Sequence, residues 1–125
     1  MKAIKLQLSF YDSYACDQEL DDEMGILVSF LTSEVRCGKS SWEDWILDDR
    51  QGDGTSGNII YLEKENDEIY LGDLLNLSEK NTELKISRRQ LVQLIYDWKD
   101  KVCKTMPKEV TIIRNGNDFT IETKD

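Results

Sequence analysis

Residues 87 to 104 constrain this chain more than any other segment. Ser87 followed three residues later by Gln90 has the form of a capping box. Leu91, Leu94, Ile95, Trp98 and Val102 then share one face of a helix predicted from Arg88 to about Lys104. Lys101 and Lys104 stand near its end, where the helix dipole favours cations, and Pro107 is a stop signal beyond it. An apolar stripe of that width needs a surface to cover. The segment Glu109–Glu122 offers one, because two alternating runs flank Asn115-Gly116, the strongest hairpin signal in the chain.

The rest of the sequence adds strands and shorter helices. Residues 2–11 alternate, with Ile4, Leu6, Leu8 and Phe10 on one side, as in a half-buried strand. The polar stretch Asp12–Glu23 reads as a loop. Met24, Leu27, Val28, Leu31 and Val35 make a helical face, although Ile26–Leu31 is also β-prone. Ser40 and Glu43 suggest a second capping box before a short helix through Trp42, Trp45 and Ile46. Gln51–Gly57 is glycine-rich and reads as a loop. Asn58–Gly72 reads as a hairpin turning at Glu65–Glu68, Leu74–Leu77 as a short turn or edge, and Leu84–Ile86 as a short strand. The sum is a single α+β domain over residues 1–125. An antiparallel sheet of about five or six strands packs against the long helix, with one or two further helices in the N-terminal half.

Charge is placed unevenly. The net charge is −9, and Asp12–Asp53 holds twelve acids against three bases, while the remainder is balanced at thirteen of each. A field of that sign repels nucleic acid and anionic lipid and attracts cationic proteins. A solvated acidic face that only keeps the protein soluble is the plainer reading of the same residues. No apolar run approaches a membrane span of roughly 18 residues, and Met1–Lys5 does not open a signal peptide, so a cytoplasmic location is expected. Three cysteines, Cys16, Cys37 and Cys103, without a CxxC pair are expected to be reduced thiols that behave as small hydrophobes.

Catalytic chemistry is hard to assemble from these residues. The absence of histidine removes the commonest general base and the commonest metal ligand. Gly52-Asp-Gly-Thr-Ser-Gly57 spells a dinucleotide motif, but a helix precedes it and a strand follows, the reverse of what phosphate binding needs. Asp17-x-Glu19-x-Asp21 lacks the glycine and glutamate of a calcium loop, since Asp22 and Val28 occupy those places. Asp48-Asp49 and Glu43-Asp44 are adjacent on a helix and point apart. No enzyme activity, cofactor or metal is expected. Trp98 is read as core. Trp42 and Trp45 either cover the core or serve as interface anchors beside the acids, a role in which tryptophan is enriched.

Ser40-Ser-Trp-Glu-Asp-Trp-Ile46, Ser56-Gly-Asn-Ile-Ile-Tyr-Leu62, and Ile86-Ser87 with Leu91, Leu94, Trp98 and Pro107-Lys-Glu-Val-Thr-Ile112 together resemble small bacterial immunity proteins of polymorphic-toxin and contact-dependent growth inhibition loci. The resemblance is a pattern of apolar residues and tryptophans, and it carries no binding residue over. It implies a cytoplasmic protein that neutralises a cognate toxin by stoichiometric binding, and an acidic inhibitor suits a basic, nuclease-like toxin. The residues that would carry such binding are Asp17, Glu19, Asp21, Asp22, Glu43, Asp44, Asp48 and Asp49, with Trp42 and Trp45 as anchors. The alternative is an adaptor that recognises a peptide or protein by pairing at a sheet edge.

Overall fold

The long helix begins as the sequence predicts. In the computed structural model Ser87 has an extended backbone (φ −66°, ψ 149°), and its hydroxyl accepts from the Gln90 N–H at 3.1 Å. The structure describes residues 2–9, 14–16, 22–35, 42–48, 54–56, 60–73 and 83–125, and the expectations at Phe10, Ser40 and Leu74–Leu77 lie outside them. We label the described strands β1 (Lys2–Leu8), β2 (Tyr14–Ala15), β3 (Gly54–Ser56), β4 (Ile60–Glu65), β5 (Glu68–Asp73), β6 (Glu83–Ser87), β7 (Glu109–Asn115) and β8 (Asp118–Lys124). The helices are α1 (Asp22–Ser29), α2 (Trp42–Leu47) and α3 (Arg88–Asp97). Both α1 and α3 continue directly into π-helical segments, at Phe30–Val35 and Trp98–Cys103.

The class is α+β with antiparallel strands, and the strands are divided between two sheets rather than gathered in one. One sheet has the order β2-β1-β7-β8 and the other β3-β4-β5-β6. The chain leaves the second sheet at Ser87, runs through α3 and enters the first at Glu109. Alternation tells which side of a strand is buried but not which strand lies beside it. The pairing of β1 with β7, Ile4 opposite Ile112, was therefore invisible in the pattern.

Each sheet turns one face inward. Ile4, Leu6, Val110, Ile112, Phe119 and Ile121 line the first; Ile60, Leu62, Ile69, Leu71, Leu84 and Ile86 line the second. Helix α3 touches β5 and β6 of one sheet and β8 of the other, and α1 packs on β5 and β6. Met24, Leu27, Phe30 and Leu31 are fully buried, and Ile26 and Val28 nearly so. Helix α1 is thus apolar on most of its circumference, which explains why its sequence also looked β-prone. Among the described residues no helix is long and apolar enough to cross a membrane.

Several expectations need correction. Tyr14–Ala15, expected in a loop, pairs with β1, because the Tyr14 side chain anchors it. Its hydroxyl donates to the Pro107 carbonyl at 2.6 Å, and its ring meets Trp98 edge-on at 5.8 Å. Gly54–Ser56, also expected in a loop, pairs with β4, where a strand edge stands ready for any short extended segment. The hairpin between β4 and β5, by contrast, turns at Glu65–Glu68 as expected. Glu65 pairs with Glu68, leaving Asn66 (φ 57°) and Asp67 in the turn. The β7–β8 turn places Gly116 (φ 66°) first in the turn, where positive φ costs glycine nothing. Only half of the capping box at Ser87 forms, because the Gln90 side chain is engaged at Phe119. Finally, Cys103 is disulfide-bonded whereas Cys16 is not, so the three cysteines are not all thiols. A disulfide fits poorly with the reducing compartment the cysteine count suggested.

Candidate functional site

Helix α2 has six residues, too few to be stable alone, and its geometry shows how it is held. Trp42 packs edge-on against Phe30 at 5.5 Å, and its indole N–H donates to the Glu34 carbonyl at 3.2 Å. At the other end, two cations bond the terminal carbonyls. The Lys64 ammonium donates to the Trp45 carbonyl at 2.5 Å and to that of Asp48, and stands 4.3 Å from the centre of the Trp45 ring. Arg88, the first residue of α3, donates through Nε to the Ile46 carbonyl at 2.8 Å. Positive charge at a helix C-terminus meets the negative end of the dipole, and a lysine over an indole face adds a cation–π contact. Ile46 is fully buried, so this face of α2 is fixed to the core.

The opposite face carries Asp44, Leu47 and Asp48, at spacings that bring them together on one side of a helix. Asp44 is exposed and Asp48 partly buried. Leu47 is 56% exposed, one of two large hydrophobic side chains on the described surface. The arrangement is an apolar knob flanked by carboxylates. The Asp44 carboxylate faces solvent. No cation lies within ion-pair distance of it among the described residues.

The other proposed site residues fare differently. Trp42 and Trp45 are partly buried against the core, which is the covering role, and the Trp42 N–H is used internally. Asp22 opens α1 and Glu43 is the second residue of α2. Asp17, Glu19, Asp21 and Asp49 lie outside the described residues. Glu23, another acid of the same stretch, is paired with Arg114 at 3.4 Å. The residue that sequence reasoning missed is Leu47. Trp45, Ile46 and Leu47 are consecutive, and three neighbours on a helix spread too widely for all of them to face the core. That was the available signal.

A second acidic surface also escaped the count of charge by segment. The outer face of the second sheet carries Tyr61, Glu63 and Glu65 from β4, Glu68, Tyr70 and Gly72 from β5, and Glu83, Lys85 and Ser87 from β6. The Tyr61 ring lies over Gly72 and its hydroxyl donates to Glu83 Oε2 at 2.9 Å. Burial, that hydrogen bond and the charges of Glu83 and Glu63 push the hydroxyl up to about 12. Lys85 approaches Glu68 at 3.1 Å, although the buried Glu68 Oε2 makes no well-aligned hydrogen bond.

Edges matter for the peptide-pairing alternative. The outer edge of β8 is closed by α3. Gln90 donates to the Phe119 carbonyl at 3.1 Å and accepts from its N–H at 3.4 Å, and the Lys101 ammonium reaches the Ile121 carbonyl at 3.4 Å. Among the described residues no three His, Cys, Asp or Glu side chains gather to hold a metal ion. Comparison with protein-family models, with curated proteins and with solved structures finds no match for this chain.

Proposed function

We propose that this chain is a non-catalytic binding protein of the immunity type, which neutralises a basic, nuclease-like toxin by docking an acidic surface into its cationic cleft. The observation that carries the reading is the outward face of α2. Asp44 and Asp48 flank the exposed Leu47, while the inward face is held by Phe30, Lys64 and Arg88. An apolar centre within a charged rim is the ordinary anatomy of a protein–protein interface. Holding the helix from behind keeps that epitope rigid, which lowers the entropy cost of binding. The carboxylates would steer a cationic partner toward it.

Recognition of a peptide at the β8 edge is less well supported, since Gln90 and Lys101 already occupy outward groups of that strand. The test is co-expression with the product of the adjacent reading frame. The reading requires a one-to-one complex that survives purification at low salt and rescues growth when that product is toxic. A neighbour that is harmless and forms no complex removes the support for it.

A further inference from the structure

The two sheets solve the same problem differently. Each presents one face to solvent, as antiparallel sheets often do. On the outer face of the β2-β1-β7-β8 sheet the described charges nearly compensate, with Lys5 and Lys124 against Glu109, Asp118 and Glu122. Glu109 stands directly opposite Lys124, and Lys5 and Glu122 lie on either side of Thr111 in one cross-strand row. On the outer face of the β3-β4-β5-β6 sheet they do not. Among the described residues, Glu63, Glu65, Glu68 and Glu83 share the face with one cation, Lys85. Glu65 is directly opposite Glu68, a like-charge pairing that costs stability. Glu63 and Glu65 are exposed, and among the described residues no cation comes within ion-pair distance of either. Glu63 and Glu65 therefore give folding no ion pair among the described residues.

The same face carries an aromatic centre. Tyr70 lies between Glu63 and Lys85 in the middle row, and Tyr61 lies across Gly72 in the next row. With no side chain at Gly72 and the Tyr61 ring tied down by Glu83, the surface there is low and held in place. A low face bearing two tyrosines among glutamates suits a broad contact, since tyrosine is a frequent interface anchor.

We propose that this face, centred on Tyr70, is a docking surface for a cationic protein that presents lysine or arginine side chains. Charge complementarity selects the occupant. A second copy of the chain, at −9, is repelled, as are nucleic acids and anionic membranes. The proposal rests on the reading of the chain as a binder of basic proteins, and it places part of the contact on a sheet that the acidic N-terminal third does not include.

The test is backbone amide NMR of the whole chain titrated with an oligolysine peptide. The proposal expects shifts concentrated on Glu63–Glu68, Tyr70 and Glu83–Lys85, lost in the Glu63→Lys/Glu65→Lys variant. Tyr70→Ser should weaken binding by about twofold to fivefold, the size of an exposed cation–π contact, and Tyr70→Phe should not. Shifts confined to α2 overturn this proposal and leave the α2 epitope standing. Shifts on the sheet without α2 support it and remove α2 from the functional reading. Shifts spread equally over Glu109, Asp118 and Glu122 overturn it, since the peptide is then following charge alone. No binding at low salt overturns both.

Discussion

Gln90 uses both ends of its side-chain amide on Phe119, donating to the carbonyl at 3.1 Å and accepting from the N–H at 3.4 Å. It takes the place of a neighbouring strand on β8. Unpaired strand edges invite association, and covering the edge with a helix is a common remedy. Gln90→Ala should cost about 1–3 kcal/mol, the range for leaving backbone groups unsatisfied, with a small offset from the better helix propensity of alanine. Urea unfolding gives the magnitude. Hydrogen exchange should locate the effect, with the Phe119 amide exchanging faster while Ile112 in β7 is unchanged. Unaltered exchange at Phe119 would show that the bulk of α3, not this amide, protects the edge.

Tyr61 and Gly72 make a second pair whose chemistry can be followed directly. The Tyr61 hydroxyl is raised from 10 to about 12. Because its folded-state value lies above the unfolded one, its contribution to stability is complete below pH 10 and is lost as pH rises from 10 to 12. Absorbance titration should show one late tyrosine, absent in Tyr61→Phe. A Cβ at Gly72 would come within 2.1 Å of the Tyr61 ring. The ring tip is the movable partner, so Gly72→Ala should displace Tyr61, break its bond to Glu83 and return the late titration toward 10. The net stability change should stay within about 1 kcal/mol, because alanine regains backbone entropy that glycine loses. A titration curve identical to that of the parent protein would mean that the ring does not rest on Gly72.

Met106 closes the helical segment after Cys103 with φ 45°, and its N–H donates to the Val102 carbonyl at 2.9 Å. A left-handed residue at a helix C-terminus is usually glycine. A side chain there costs roughly 1–2 kcal/mol, and the following Pro107 restricts the position further. Met106→Gly should raise the urea midpoint, with a gain of about 1 kcal/mol after the loss of partial burial of the methionine. A lower midpoint would show that the apolar contact of Met106 outweighs the strain.

Local pattern carried much of this fold and little of its surface. The stripe Leu91–Val102, the Ser87 cap and the glycine turn at Gly116 depend on residues close together in sequence, so they could be read there. The division into two sheets depends on β1 finding β7 across the length of the chain, which no local period encodes. The Gln90 side chain was assigned to its own helix cap, and its actual partner lies 29 positions away. On the candidate site, counting acids along the chain pointed to α2 with Asp44 and Asp48. It passed over Glu63, Glu65, Glu68 and Glu83, because lysines and arginines elsewhere balance them in the total, while among the described residues only Lys85 shares their face. Alternation within β4, from Ile60 to Glu65, already put Glu63 and Glu65 on one side.

The proposed α2 epitope separates into a steering part and an anchoring part, and the two can be measured apart. Asp44 is exposed and acts at a distance, so Asp44→Lys should slow association with a basic partner and flatten the dependence of the on-rate on salt, leaving dissociation nearly unchanged. Leu47 acts only on contact. At 56% exposed it contributes little to folding, so Leu47→Ala should change stability by less than about 0.5 kcal/mol, the usual range for surface positions. It should nevertheless speed dissociation, since most interface mutations act on the off-rate. Stopped-flow association across a salt series, paired with dissociation by surface plasmon resonance, distinguishes these effects. Lys64→Met supplies the control for rigidity, because it removes the bonds to the Trp45 and Asp48 carbonyls without touching the outward face. If α2 binds as a rigid epitope, that variant should weaken the complex even though no residue at the contact has changed. Equal affinity for the parent, Leu47→Ala and Lys64→Met proteins would place the interface elsewhere on the molecule.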